Sequence, residues 1–308
     1  MRNAFADEVT QLAAQDPRIV LLSGDIGNRL FDRLRAQSPT QFINCGVAEA
    51  NMMGVASGMA LSGLRPITYT ITPFTTTRCL EQIRVDVAYH EAPVIIVGTG
   101  SGLSYASLGP THHSLEDFAI LRAIPNLRIL APWDAPSLRH VLRQAVLDTV
   151  PTYIRIGKKG EQDVLPMERV STIGRLTTLL AGEGVAIVAV GTVASEAVRA
   201  AEALKALGVP ATVSLAHTVK PLPEADLSEL FRTHRIIVTV EEHSLAAGFG
   251  ESCVSFAQRA GFRGRILPLG VPDLFLSKAG SQHYARQQAG IDSVAIVEAV
   301  RGLISQAP

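Results

Sequence analysis

Short apolar runs alternate with helix-patterned segments along the whole chain, and this rhythm restricts the fold more than any other feature. "RIVLLSGD", "QFINCG", "RPITYTIT", "APVIIVGTG", "LRILAP" and "PTYIRIG" read as strands, and the segments between them have helical spacing or composition. Strand followed by helix, repeated, predicts an α/β domain with a mainly parallel sheet. The pattern places this domain at residues 1–157. The stretch "GKKGEQDVLPMERVSTIGRL" has no sustained period and reads as a linker, bounded at 158–184. A second α/β pattern follows over 185–308, through "GVAIVAVG", "VPATVSLAH" and "HRIIVTVEEH" to the helix "DSVAIVEAVRGLIS". The expected architecture is therefore two domains, each a mainly parallel sheet flanked by helices.

Composition narrows the partners. Hydrophobic residues are 47% and charged residues 18% of the 308, a surplus that points to large interfaces and an obligate oligomer. Lys plus Arg and Asp plus Glu each number 28, so no net charge favours nucleic acid or an anionic membrane. Cys45, Cys79 and Cys253 are odd in number and widely spaced, as expected of reduced thiols. The opening "MRNAFADEVTQLAAQDP" reads as an amphipathic helix rather than a signal peptide, and no run is long enough for a membrane span. The expected location is the cytoplasm.

In parallel α/β sheets, ligands collect where strand carboxyl ends lead into helices. At those ends stand Asp25, Glu49, Phe74, the pair His112 and His113 in "TGSGLSYASLGPTHHS", and Arg155 with Lys158. Each has an ordinary structural use: Glu49 as a first-turn acid favouring the helix dipole, Phe74 as core, the histidines as loop residues. Neither histidine has further ligands at metal spacing. "GTGSG" lacks the full dinucleotide fingerprint and is followed by a long loop rather than a helix. Convergence of these residues on one sheet edge is what raises them to a candidate site. His217 and His243, at later strand ends, are expected to be structural.

"GVAEANMMGVASGMALSGLRPI", "PFTTTRCLEQIRVDVAY" and "GPTHHSLEDFAILRAIPNLRILAP" resemble the pyrimidine-binding domain of the transketolase family. "VAIVAVGTVASEA", "TVKPLP" and "VTVEEHSLAAGFGE" resemble that family's C-terminal domain. The resemblance implies thiamine diphosphate as cofactor, with Glu49 at N1′ of its aminopyrimidine, Phe74 stacked on that ring, and Arg78 and Asp25 beside it. It implies that His112 faces the reacting carbon and substrate oxygens, with His113 adjacent, and that Arg155 and Lys158 receive an anionic substrate tail. A carboxyl group desolvated among Met, Val and Ala would have a raised pKa and share a proton with N1′. The cofactor then supplies the carbon nucleophile.

Full-length relatives hold the diphosphate through magnesium bound at a Gly-Asp-Gly signature, which does not occur here. The resemblance thus implies the C-terminal subunit of a split enzyme, with a separate N-terminal subunit carrying Mg2+ and diphosphate in an α2β2 assembly. The implied reaction is transfer of a two-carbon ketol unit from a ketose to an aldehyde. Gly100 and Leu108 stand where phosphoketose-using relatives place a histidine and an aspartate for donor hydroxyls. That departure leaves a modified sugar, a nucleotide-linked sugar or a smaller 2-oxo donor open. Two other readings stand beside it: the beta subunit of a 2-oxoacid dehydrogenase or decarboxylase, and a non-catalytic binding subunit.

Overall fold

The computed structural model describes residues 1–27 and 29–306. Six strands occur in the first half: β1 (Ile19–Ser23), β2 (Phe42–Asn44), β3 (Arg65–Ile71), β4 (Ile95–Thr99), β5 (Arg128–Leu130) and β6 (Thr152–Ile156). Six more follow: β7 (Leu176–Leu180), β8 (Gly184–Val190), β9 (Thr212–Ala216), β10 (Thr218–Lys220), β11 (His234–Ser244) and β12 (Arg265–Val271). All six apolar runs read from the first half are strands, in register as parallel neighbours in the order β5-β6-β4-β3-β1-β2. β1, β4 and β6 are buried at every residue, because helices cover both faces of the sheet. Phe5, Tyr69 and Leu138 fill one face, and Met52, Ile83 and Phe118 the other.

The second sheet has the order β12-β11-β8-β9-β7 and is parallel except for β7, which runs antiparallel to β9. The expected linker is corrected here. Its later part, Leu176–Leu180, is an edge strand of the second sheet. The sequence signal was weak because an edge strand with one solvated face needs no continuous apolar run. The boundary between the halves is also less clean than expected, since β10 crosses over and pairs antiparallel with β5 at the edge of the first sheet.

Strand order sets the site. The chain leaves β1 toward β2 and then returns past β1 to β3, so a crevice opens where β1 and β3 end. Gly24 sits at that opening. Its backbone lies against Thr70 at the end of β3 and within 3.5 Å, as a Cβ would see it, of Glu49 Cγ. No helix among the described residues is long and apolar enough to cross a membrane.

Candidate functional site

Glu49 opens the helix Glu49–Leu61 directly after the β2 loop. Positions 49, 52, 53, 56, 57 and 60 form the buried face, and this helical spacing turns Glu49 inward with 3% exposure. A carboxylate in the first turn suits the helix dipole, but burial at this depth needs a partner. Arg78 supplies it: Nη1 lies 2.7 Å from Glu49 Oε2. To the expected apolar surroundings the structure adds this guanidinium, which arrives from 29 residues away. Among the described residues Oε1 has no protein donor, leaving one oxygen for a ligand N–H.

A chain of contacts runs outward from this pair. The Arg78 guanidinium lies 4.5 Å from the centroid of the Phe74 ring. Phe74 follows β3 on the short turn Thr72–Thr75 and meets the His112 ring edge-on at 5.5 Å. His112 is half-buried, with Nδ1 held 2.9 Å from Thr111 Oγ1, and meets Tyr105 edge-on at 6.0 Å. Lys158 Nζ lies 4.6 Å from the Tyr105 ring centroid. Glu49, Arg78, Phe74, His112 and Lys158 thus occupy one continuous edge. Tyr105 joins them without having been anticipated. Its signal was Gly100: a Cβ there would land in the Tyr105 ring, and the backbone has φ +90°. The aromatic ring occupies the room that a side chain at 100 would take.

Asp25 is exposed at the end of β1, with φ 55°, and accepts a 2.9 Å hydrogen bond from Asn44 Nδ2. It rims the crevice without bonding to Glu49, its side-chain hydrogen-bond partner among the described residues being Asn44.

Two expected site residues turn away. His113 is 5% exposed and packed inside the loop, where burial holds its pKa below the ordinary histidine value. Arg155 is 3% exposed and faces the second domain. Its Nη2 donates to Ser114 O at 2.9 Å and to Glu242 O, and Nη1 lies 3.4 Å from Asp117 Oδ1. The reason is strand parity: Tyr153 and Arg155 share a face of β6, and the Tyr153 hydroxyl also donates to Asp117, at 2.7 Å. Arg155 therefore leaves the candidate substrate set, and Lys158 is its remaining cation. His217 and His243 bond internally: His217 Nε2 donates to Ser171 O at 2.7 Å, and His243 Nδ1 donates to Ser244 O at 2.8 Å.

A carboxylate with a free oxygen, a partly open aromatic ring at 74 and a crevice that Gly24 leaves clear of a side chain suit an aminopyrimidine ring. Among the described residues no three His, Cys, Asp or Glu side chains converge as a metal site.

Residues 1–160 match the family described as transketolase, pyrimidine binding domain, and residues 174–296 match transketolase, C-terminal domain. The chain is 33% identical over 289 residues to the 6-deoxy-6-sulfo-D-fructose transketolase subunit SqwH of Clostridium sp. (strain MSTE9), covering 91% of this chain and 90% of that protein. It is 36% identical over 301 residues to 1-deoxy-D-xylulose-5-phosphate synthase of Thermomicrobium roseum, covering 96% of this chain but 47% of that protein. A solved split gene transketolase, an inactive beta4 tetramer, superimposes with TM-score 0.89 at 30% identity, covering 99% of this chain and 97% of that one.

Proposed function

Because the chain belongs to the transketolase family, we propose that it is the pyrimidine-side subunit of a two-chain, thiamine-diphosphate-dependent transketolase. It acts with a separate subunit that binds Mg2+ and the diphosphate. The observation that carries this reading is the contiguous edge Glu49–Arg78–Phe74–His112 at the strand ends. The match to nearly whole subunits of split relatives supports it.

Each side chain has a defined task. Glu49 binds a pyrimidine ring N–H through Oε1 and holds that proton, while Arg78 keeps the carboxylate oriented. Phe74 offers its face to the ring, and Asp25 rims the crevice. The cofactor, when bound, supplies the nucleophilic carbon for ketol transfer. His112 hydrogen-bonds the donor carbonyl or carries a proton, a role suited to imidazole. Lys158 receives an anionic tail, and the Tyr105 ring with exposed Leu108 walls the donor site where hydroxyl partners are expected. A donor lacking the usual hydroxyl pattern near that wall fits this surface.

The helix Glu49–Leu61 also supports the need for a partner. Its outer stripe carries Val55 at 40% and Leu61 at 59% exposure, with Val47 at 77% just before it, a poor surface for a chain working alone. We assign this face to the α2β2 assembly.

The test is turnover by the chain mixed with its candidate partner. Ketol transfer from a ketose to an aldehyde supports the reading. Turnover of 2-oxoacids with lipoyl acylation would instead identify a dehydrogenase beta subunit.

A further inference from the structure

None of the described residues of the second domain stands on the edge just described, yet that domain grips the loop that carries His112. Residues 101–116 leave β4 and lead into the helix Asp117–Arg122 by way of a base where Gly102 and Ser114 pair, with Ser114 N donating to Gly102 O at 2.9 Å. Glu242, from β11, enters at this base with 3% exposure. Leu103 N donates to its Oε2 at 3.0 Å. The Gln282 amide donates to Oε1 and Oε2 at 3.0 and 3.1 Å, and Arg286 Nε donates to Oε1. The Glu242 carbonyl takes the Arg155 guanidinium, which also holds Ser114 O. Ser244 N, two residues on, donates to Leu115 O at 2.8 Å. Gly102 makes this approach possible: φ is +53°, and a Cβ there would collide with the Glu242 side chain.

Resting on the proposed role of His112, we propose that Glu242 is a positioning residue. Its carboxylate fixes the first stem of the 101–116 loop at Leu103 N, its carbonyl reaches the second stem through Arg155, and together these set His112 against Phe74. Every group around the Glu242 carboxylate is a donor, so an acceptor-only side chain is required there. Glutamine keeps the size but points N–H donors at Leu103 N, Gln282 or Arg286, leaving buried donors opposed. Arg286 is itself fixed by Thr192 O at 3.0 Å and by Glu196 at 3.3 Å, so the clamp is anchored in the second domain rather than in the loop. Misplacing a reacting group by about 1 Å costs on the order of 100-fold in rate.

The test is Glu242→Gln, read by hydrogen exchange of the chain and by ketol transfer in the assembled complex. Amides 103–115 should exchange at least about tenfold faster, and kcat should fall about 10- to 100-fold. The KM for thiamine diphosphate should stay within about twofold, since Glu49, Arg78 and Phe74 lie outside the 101–116 loop. Glu242→Asp, still acceptor-only, should recover part of kcat. If Glu242→Gln does not fold, Gln282→Leu removes one donor and should loosen the same amides to a smaller degree. Unchanged exchange in this loop overturns the proposal. So does a loosened loop with full kcat, provided His112→Ala has lost kcat. If His112→Ala retains full kcat, the reading of His112 itself falls.

Discussion

Arg78 closes over Glu49 from the solvent side, its Nη1 2.7 Å from Oε2, with the Glu49 side chain 3% and the Arg78 side chain 46% exposed. The buried acid is thus paired on one side and open on the other. Since the cation is half in water, its electrostatic support is screened, and its main effect is to fix the carboxylate.

Glu49→Gln should keep the fold and the partner while lowering turnover by about 10²–10⁴-fold, the usual worth of a positioned acid/base group. The check is kcat with circular dichroism and gel filtration as controls. Turnover near wild type would remove Glu49 from the reaction.

Arg78→Met leaves Glu49 buried without its partner. Loss of a hydrogen-bonded partner to a buried group costs about 1–3 kcal/mol, so urea melts should show a lower midpoint at pH 7. Glu49→Gln combined with Arg78→Met should cost less than the sum of the two, because both changes remove one interaction.

Gly100→Ala should destabilise the chain twice over. A non-glycine residue at φ +90° is strained by about 1–3 kcal/mol, and its Cβ meets the Tyr105 ring. In Gly100→Ala with Tyr105→Ala the steric part disappears and the backbone part remains. A double-mutant cycle on melting midpoints measures the coupling. Additive effects would show that Tyr105 does not fill the space at 100.

His217 predicts a pH dependence of stability. Burial pushes its pKa down to about 4, against the opposing Ser171 carbonyl bond that favours the charged form, and nearby His140 is lowered too, again by burial. The unfolded chain protonates His217 near 6.5, whereas the folded one resists. Its contribution is therefore complete above about pH 6.5 and is lost as pH falls toward 4, by at most about 1.4 kcal/mol per unit. Urea melts of wild type and His217→Gln at pH 7.5 and 4.5 test this: wild type should lose more stability on acidification than the variant. Equal losses would contradict it.

The sheet was legible because buried parallel strands need uninterrupted apolar runs, and "APVIIVGTG" or "PTYIRIG" can be little else. Leu176–Leu180 and Thr218–Lys220 escaped notice because edge strands lack that demand. Arg265–Val271, partly buried along most of its length, was missed for the same reason. At the site, residue type and strand-end position pointed to Glu49, Phe74 and His112. Direction was not legible. Arg155 and Lys158 lie three residues apart, yet one is consumed by the interdomain network and the other stands over the Tyr105 ring. Nor could spacing reveal that Tyr105 fills the place of the missing side chain at 100, since that depends on how the loop folds back.

The central claim is that the cofactor site is shared between two chains. Calorimetric titration of thiamine diphosphate with Mg2+ tests it most directly, first into this chain alone and then into its mixture with the candidate partner. The account predicts heat of binding only in the mixture, at one site per pair, and its loss in Glu49→Ala. Tight, saturable binding to this chain by itself would contradict it, because the diphosphate anchor would then lie within these 308 residues.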